Sequence, residues 1–185
     1  WLALPDPAPT AARMAKRGVL AVILPECSAE GIAALATLVA EEQRQGAPPA
    51  ALRRLAALLP PDPRLAEQVA ARLRLSSAHR KRLMAVAERV DAPGDARALA
   101  YSVGPTVATD RLLLTGQSIA PLADWEVPQL PLKGGEIVAR GVGAGPEVAR
   151  TLRQVEKRWA AEGFPGRERV LAILDTVLQE LASGA

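Results

Sequence analysis

Histidine and cysteine are almost missing from this chain: its 185 residues include one of each, His79 and Cys27. A single cysteine excludes an intrachain disulfide and a cysteine-built zinc cluster, and a single histidine excludes a multi-histidine metal site. No apolar run approaches the ~18 residues that a membrane-spanning helix needs. The first residues show no signal-peptide pattern, so a cytoplasmic protein without a membrane partner is expected. The phosphate-cradling patterns Gly-x-x-x-x-Gly-Lys-Ser/Thr and Gly-x-Gly-x-x-Gly are absent, and so is the nucleophile elbow Gly-x-Ser-x-Gly. The chain opens on Trp1 rather than Met, which reads as a cleaved product or an excised piece of a longer protein.

Only 20 residues are Val or Ile and five are aromatic, whereas 37 are Ala and 26 are Leu. Unbranched apolar residues favour helices, and the scarcity of β-branched and aromatic ones disfavours sheets. A hydrophobic share of 49% is enough for a core. Sixteen Pro and fourteen Gly cut the chain into about ten short segments. Helices are predicted from about Ala8 to Arg17, from Ser28 to Gln43 with Gly31 as a weak point, and from near Pro49 to Leu59. Others should run from Asp62-Pro63 to Arg74, from Ser76 or Ser77 through Val86, after Asp95, and up to Gly116. Val19–Leu24 reads as a buried turn or short helix. Three helices close the chain, at about Gly135–Arg140, Pro146–Glu162 and Gly166–Leu181. The fold class is therefore all-α, an irregular array of about ten short helices.

The net charge of +3 is unevenly spread. Residues 64–90 and 131–169 are basic, and the segment between them is acidic, a distribution suited to a polyanion as well as to a plain solvated surface. Asp124-Trp125-Glu126 has a metal-pair spacing but lies in a Pro-broken connector with no strand before it, and Glu41-Glu42 reads as a solvated helix-surface pair. His79 reads as a surface residue of a basic helix, with Arg80, Lys81 and Arg82 mostly outward. Cys27 reads as a partly buried, inert thiol. No catalytic residue and no metal ligand is assigned. The nearest approach to a phosphate-binding turn is Gly141-Val142-Gly143-Ala144-Gly145-Pro146 between two helices. Its glycines permit a tight reversal, and the helix beginning at Pro146 points unpaired N–H groups back toward it. Lys133, Arg140, Arg150 and Arg153 lie close by in sequence. Both a grip on a nucleic-acid backbone and a tight helical hairpin that needs Gly for packing remain open on these residues.

The stretch Leu130-Pro131-Leu132-Lys133-Gly134-Gly135-Glu136-Ile137-Val138-Ala139-Arg140, continuing through Gly145-Pro146-Glu147-Val148 to Arg158-Trp159-Ala160-Ala161-Glu162-Gly163-Phe164-Pro165, resembles the C-terminal part of bacterial CCA-adding tRNA nucleotidyltransferases and their poly(A) polymerase relatives. Pro5-Asp6-Pro7, Met14–Leu20 and Leu24-Pro25-Glu26 look like that family's passage from neck to body. Leu73-Arg74-Leu75-Ser76 and Asp110-Arg111-Leu112-Leu113-Leu114 match its body in order. The family usually has Asp where Glu136 stands, and the connector before Pro131 is shortened here.

The resemblance implies a helical body at 1–116 that starts just after the neck, a connector at 117–130, and a helical tail at 131–185 carrying the Gly-rich helix–turn–helix. It implies that Mg²⁺ and CTP or ATP bind in an N-terminal catalytic head. This chain has no Gly-Ser dipeptide, no Asp-x-Asp and no Glu-Asp-x-x-Arg, so no cofactor is expected on it and the chain alone should be inactive. The partners implied are that head and a weakly held tRNA phosphate backbone. Lys133, Arg140, Gly143, Gly145, Pro146, Arg150 and Arg153 are the contact residues, and Arg80, Lys81 and Arg82 the secondary ones. The rival expectation is a stand-alone helical scaffold or dimerisation module with no role on RNA.

Overall fold

A computed structural model describes residues 1–89 and 94–183. Among them are eleven α-helices and one 3-10 turn, and no strand. The all-α expectation holds. The chain divides into two compact units, Trp1–Trp125 and Glu126–Ala185.

The first unit holds α1 (Ala8–Lys16), α2 (Val19–Ile23), α3 (Ala29–Arg44), α4 (Ala51–Leu58), α5 (Pro63–Arg72), α6 (Ser77–Ala87), α7 (Ala96–Val103) and α8 (Pro105–Leu114). Short side chains set where these helices begin. The Ser28 hydroxyl accepts from the Gly31 N–H, the Ser76 hydroxyl from the His79 N–H, and the Asp95 carboxylate from the Ala98 N–H. Asp62 accepts from the N–H groups of Arg64 and Leu65 while Pro63 occupies the first turn. Each cap satisfies a donor that the helix leaves without an internal partner. In α3, Leu35, Leu38 and Val39 face inward and meet Leu55, Leu58 and Leu59 of the α4 segment; Val69, Leu83 and Val86 close the same core. Leu99, Ala108 and Leu112 make a second, smaller core between α7 and α8.

Val19–Ile23 is a short helix, one of the two forms expected; Val19, Val22 and Ile23 are exposed, and Leu20 and the following Leu24 are buried. Two expectations are corrected here. Glu42 is not a surface residue: it is buried and accepts from Arg53 Nε and Arg54 Nε, each at 2.9 Å. Arg82 is not outward-facing: it grips the buried Asp110 through both carboxylate oxygens, at 2.7 and 3.0 Å. Gly31, read as a weak point, is where the backbone of α3 comes close against Leu58 of α4. A Cβ there would stand 2.5 Å from the Leu58 carbonyl oxygen, so glycine allows the approach.

Around Glu42 and Asp110 the first unit buries a set of ionic groups. Arg53 also donates to the Pro48 carbonyl at 2.7 Å, and its guanidinium lies 3.7 Å from Asp110. Arg54 donates to the carbonyls of Leu2, Leu4 and Pro5, which ties the first residues of the chain to α4. Arg111 donates to the Ala85 carbonyl and to Glu88. Buried charges persist where they are paired and hydrogen-bonded throughout, and these arginines meet that condition.

The division between the units falls within the expected connector, 117–130. Residues 117–125, expected to be connector, fold back on the first unit. The Gln45 side chain donates to the Gln117 carbonyl and accepts from the Ile119 N–H. Ile119, Leu122 and Trp125, spaced by three across the 3-10 turn Ala120–Leu122, pack against the smaller core.

Candidate nucleic-acid interface

The second unit is built from α9 (Gly134–Val138), α10 (Pro146–Ala161) and α11 (Arg167–Ser183). Glu136 caps α9 by accepting from the Lys133 N–H at 2.9 Å, and it also takes the Arg167 guanidinium. That hydrogen bond from Arg167 holds the Glu136 carboxyl below its ordinary range. Gly134 lies against α10: a Cβ there would stand 3.3 Å from Val148 Cγ1. Thr151, Val155 and Trp159 form the inner face of α10, and Val170, Ile173, Leu174 and Val177 that of α11. The Trp159 indole N–H donates to the Pro165 carbonyl at 2.8 Å, and the Phe164 ring meets Trp159 edge-on at 5.0 Å. The Trp159-to-Pro165 stretch that carries much of the resemblance is thus a packed corner between two helices.

The Gly-rich turn adjoins a cavity of about 540 Å³ lined by Arg140, Gly141, Val142, Glu147, Arg150 and Thr151, with Leu178, Leu181 and Ala182 of α11. The structure therefore brings Arg140 and Arg150 to one place, with Gly145 and Pro146 next to it in the chain, and leaves Lys133 and Arg153 outside it. Gly145 has φ +115° and ψ −137°, backbone that side chains with a Cβ resist. Gly143 has no positive φ.

Two of the expected contacts are less free than the sequence suggests. Arg140 forms an ion pair with Asp175 of α11. No side chain caps the start of α10, but Glu147 sits in its first turn, where a carboxylate already complements the partial positive charge of the helix end. Its Oε2 lies 3.6 Å from the place a Cβ on Gly143 would occupy.

The available cations lie further along α10. Arg150, Arg153 and Lys157 are exposed, and no described side chain pairs with them. Spaced by three and four, they share the helix face opposite Thr151, Val155 and Trp159. Lys157 was not among the sequence candidates, although the same spacing extends to it. By contrast, Arg158, Arg167 and Arg169 are held by Glu180, Glu136 and Glu162.

In the first unit, Arg80 and Lys81 are exposed on α6 with no partner among the described residues, whereas Arg82 is turned in to Asp110. Burial pushes the half-buried Cys27 thiol up, away from a reactive thiolate. Asp124 and Glu126 are both exposed, and no group of three or more His, Cys, Asp or Glu side chains stands together as a metal site among the described residues. No helix among them is long and apolar enough to cross a membrane. No family model, curated protein or solved structure matches the chain.

Proposed function

We propose that this chain is the tRNA-supporting C-terminal region of a tRNA nucleotidyltransferase that adds CCA to tRNA 3′ ends, or of a poly(A) polymerase relative, and that catalysis belongs to a head outside it. The ordered motifs from Pro5 to Pro165 support this reading, as does an all-helical chain in two units. The observation that carries it is the outward row Arg150, Arg153 and Lys157 along α10, exposed and with no described partner. A row of free cations on one rigid helix contacts successive phosphates without reading bases. Mg²⁺ and CTP or ATP would be bound by the head, and the cytoplasm is where such an enzyme works. No step of nucleotide transfer is assigned to the side chains of this chain.

The test is a titration of tRNA against the chain at several salt concentrations. Removing one cation that meets a phosphate should reduce the slope of log affinity against log salt by about 0.9. The double variant Arg150→Ala, Arg153→Ala is expected to lower the slope by about twice that amount and to melt where the unaltered chain melts. Arg140→Ala should change the slope less, because Asp175 already holds that guanidinium. The purified chain should incorporate no labelled CMP or AMP into tRNA. Equal slopes for the chain and its double variant would leave a helical scaffold or dimerisation module as the better account.

A further inference from the structure

The cavity beside the Gly-rich turn carries three polar groups that the fold does not use. Glu147, Arg150 and Thr151 all line it, and their spacing of three and four residues puts them on one face of α10. Glu147 and Arg150 are exposed, and neither is paired with the other or with any other described residue. Thr151 is 1% exposed, and its hydroxyl has no hydrogen-bond partner among the described residues. In that it differs from Thr37, Thr109 and Thr176, each of which donates to the carbonyl four residues back. A buried hydroxyl without a partner costs free energy, so a ligand that supplies one is favoured there.

Val142, Leu178, Leu181 and Ala182 supply apolar walls. The volume, about 540 Å³, lies within the ~300–1,000 Å³ range of small-molecule sites. Arg140 lines the cavity too but is held by Asp175, which leaves Arg150 as the free cation. The site thus offers an acceptor in Glu147, a donor in Arg150 and a hydroxyl that can do either, between aliphatic side chains. A phosphate alone does not fit, because Glu147 would meet it with like charge. A purely apolar ligand does not fit either, since it would cover the polar groups without pairing them.

We infer that this cavity binds a guanine base. Guanine carries its N1–H and 2-amino donors side by side, next to the acceptors O6 and N7. A carboxylate takes two parallel N–H donors, and a guanidinium is the commonest specific partner of guanine O6 and N7. Glu147 accepts from the donor pair, Arg150 donates to the acceptor pair, and the Thr151 hydroxyl completes the set, with Val142 and Leu178 against the ring. Adenine, cytosine and uracil have no such adjacent pair of donors on one edge. A free guanosine nucleotide and an unpaired guanosine in RNA present the same chemistry. The inference adds a base contact to the phosphate row proposed above and does not depend on it, because Arg153 and Lys157 lie outside the cavity.

The probe is guanosine 5′-monophosphate, titrated into the isotope-labelled full chain and followed by amide NMR shifts. Inosine and adenosine 5′-monophosphates are the comparisons. Shifts with the guanosine nucleotide should saturate and centre on Gly141, Val142, Thr151 and Leu178. Inosine monophosphate lacks the 2-amino group and should bind about tenfold more weakly, the loss of one hydrogen bond to a charged acceptor. Adenosine monophosphate should bind more weakly still. Glu147→Gln alters an exposed side chain, so melting should hold while the preference for guanosine over inosine monophosphate disappears. Thr151→Val removes a hydroxyl that has no internal partner, so it should melt no lower than the unaltered chain yet bind guanosine monophosphate about fivefold more weakly. A threonine with only a structural role would leave that affinity unchanged. The RNA pentamers UUGUU and UUAUU separate the two sources: tighter binding of UUGUU than of guanosine monophosphate assigns the site to RNA, and the reverse assigns it to the free nucleotide. Thr151→Val removes no charge and should leave the salt slope of tRNA binding unchanged, so failure of the tRNA reading shows in that slope and failure of this inference in base preference. Absence of shifts at the cavity, equal binding of the three nucleotides, or a guanine preference that survives Glu147→Gln would overturn the inference.

Discussion

The two units handle charge in opposite ways. The first buries Glu42, Arg53, Arg54 and Asp110 in a connected set that reaches from the opening residues of the chain to α8, and it buries Arg111 against Ala85 and Glu88. The second keeps its ion pairs at the surface, Arg140 with Asp175, Arg158 with Glu180, Arg167 with Glu136 and Arg169 with Glu162. Its buried polar side chain among the described residues is Thr151. A buried ionic group constrains its surroundings because losing one partner strands the other without water. A surface pair gives little constraint, since water and salt replace either partner. The first unit is therefore the one whose geometry should collapse when a single charge is removed.

The largest effect is expected for Glu42→Gln. It removes the negative charge on which Arg53 and Arg54 converge while keeping the shape of the side chain. Breaking a buried pair by removing one partner costs about 3–5 kcal/mol, and urea unfolding of the first unit should register a loss of that size. Trp159 is the second unit's tryptophan, so with Trp1 and Trp125 changed to Phe its emission follows that unit alone. That transition should not move. A loss below about 1 kcal/mol would show that the buried set is dispensable and break the comparison.

A smaller effect, of steric origin, is expected at the α3–α4 crossing. Gly31→Ala would place a methyl group 2.5 Å from the Leu58 carbonyl oxygen. Backbone cannot rotate away as a side chain can, so the helices must separate, at a cost toward the upper end of the ~1–3 kcal/mol typical of overpacking. Gly135→Ala, in the second unit, meets nothing within 4 Å and should leave the melting temperature unchanged. The pair of variants compares close helix packing with open space under the same chemical change.

Much of the fold was legible because its signals are local. Ser28, Asp62, Ser76 and Asp95 mark helix starts by their own chemistry, and leucines at helical spacing mark inner faces. The buried charges were not legible in the same way. Glu42 sits beside Glu41 on α3, and nothing in that dipeptide distinguishes the carboxylate paired with Arg44 from the one paired with Arg53 and Arg54. Partners 11 and 12 residues away, and 28 in the case of Arg82 and Asp110, are set by how helices pack. The turn 119–125 left a readable trace in Ile119, Leu122 and Trp125, but Pro121 disguised the spacing as connector. In the second unit, the sequence drew attention to Arg140 and Arg150, and the structure brings them to one cavity. It could not show that Asp175 occupies one of them, because that pairing depends on where α11 returns.

The smallest effect concerns the second unit's surface pairs, and its sign follows from their titration. Glu136, Glu162 and Glu180 are each held below the ordinary carboxylate value of 4.5, chiefly by hydrogen bonds from Arg167, Arg169 and Arg158. A carboxylate whose folded-state pKa is depressed stabilises the fold at pH values above its unfolded pKa. That contribution fades as pH falls from about 4.5 through the lowered folded values. The second unit should therefore melt at a lower temperature at pH 3 than at pH 7, with the change beginning below about 4.5. Added salt at pH 7 should act in the same direction, because these pairs are exposed and screened. The triple variant Glu136→Gln, Glu162→Gln, Glu180→Gln should start from a slightly lower melting temperature at pH 7 and lose less of it on acidification, with Trp159 emission as the readout. An acid response as large in the triple variant as in the unaltered chain would assign the sensitivity to other carboxylates of that unit, Asp175 first among them.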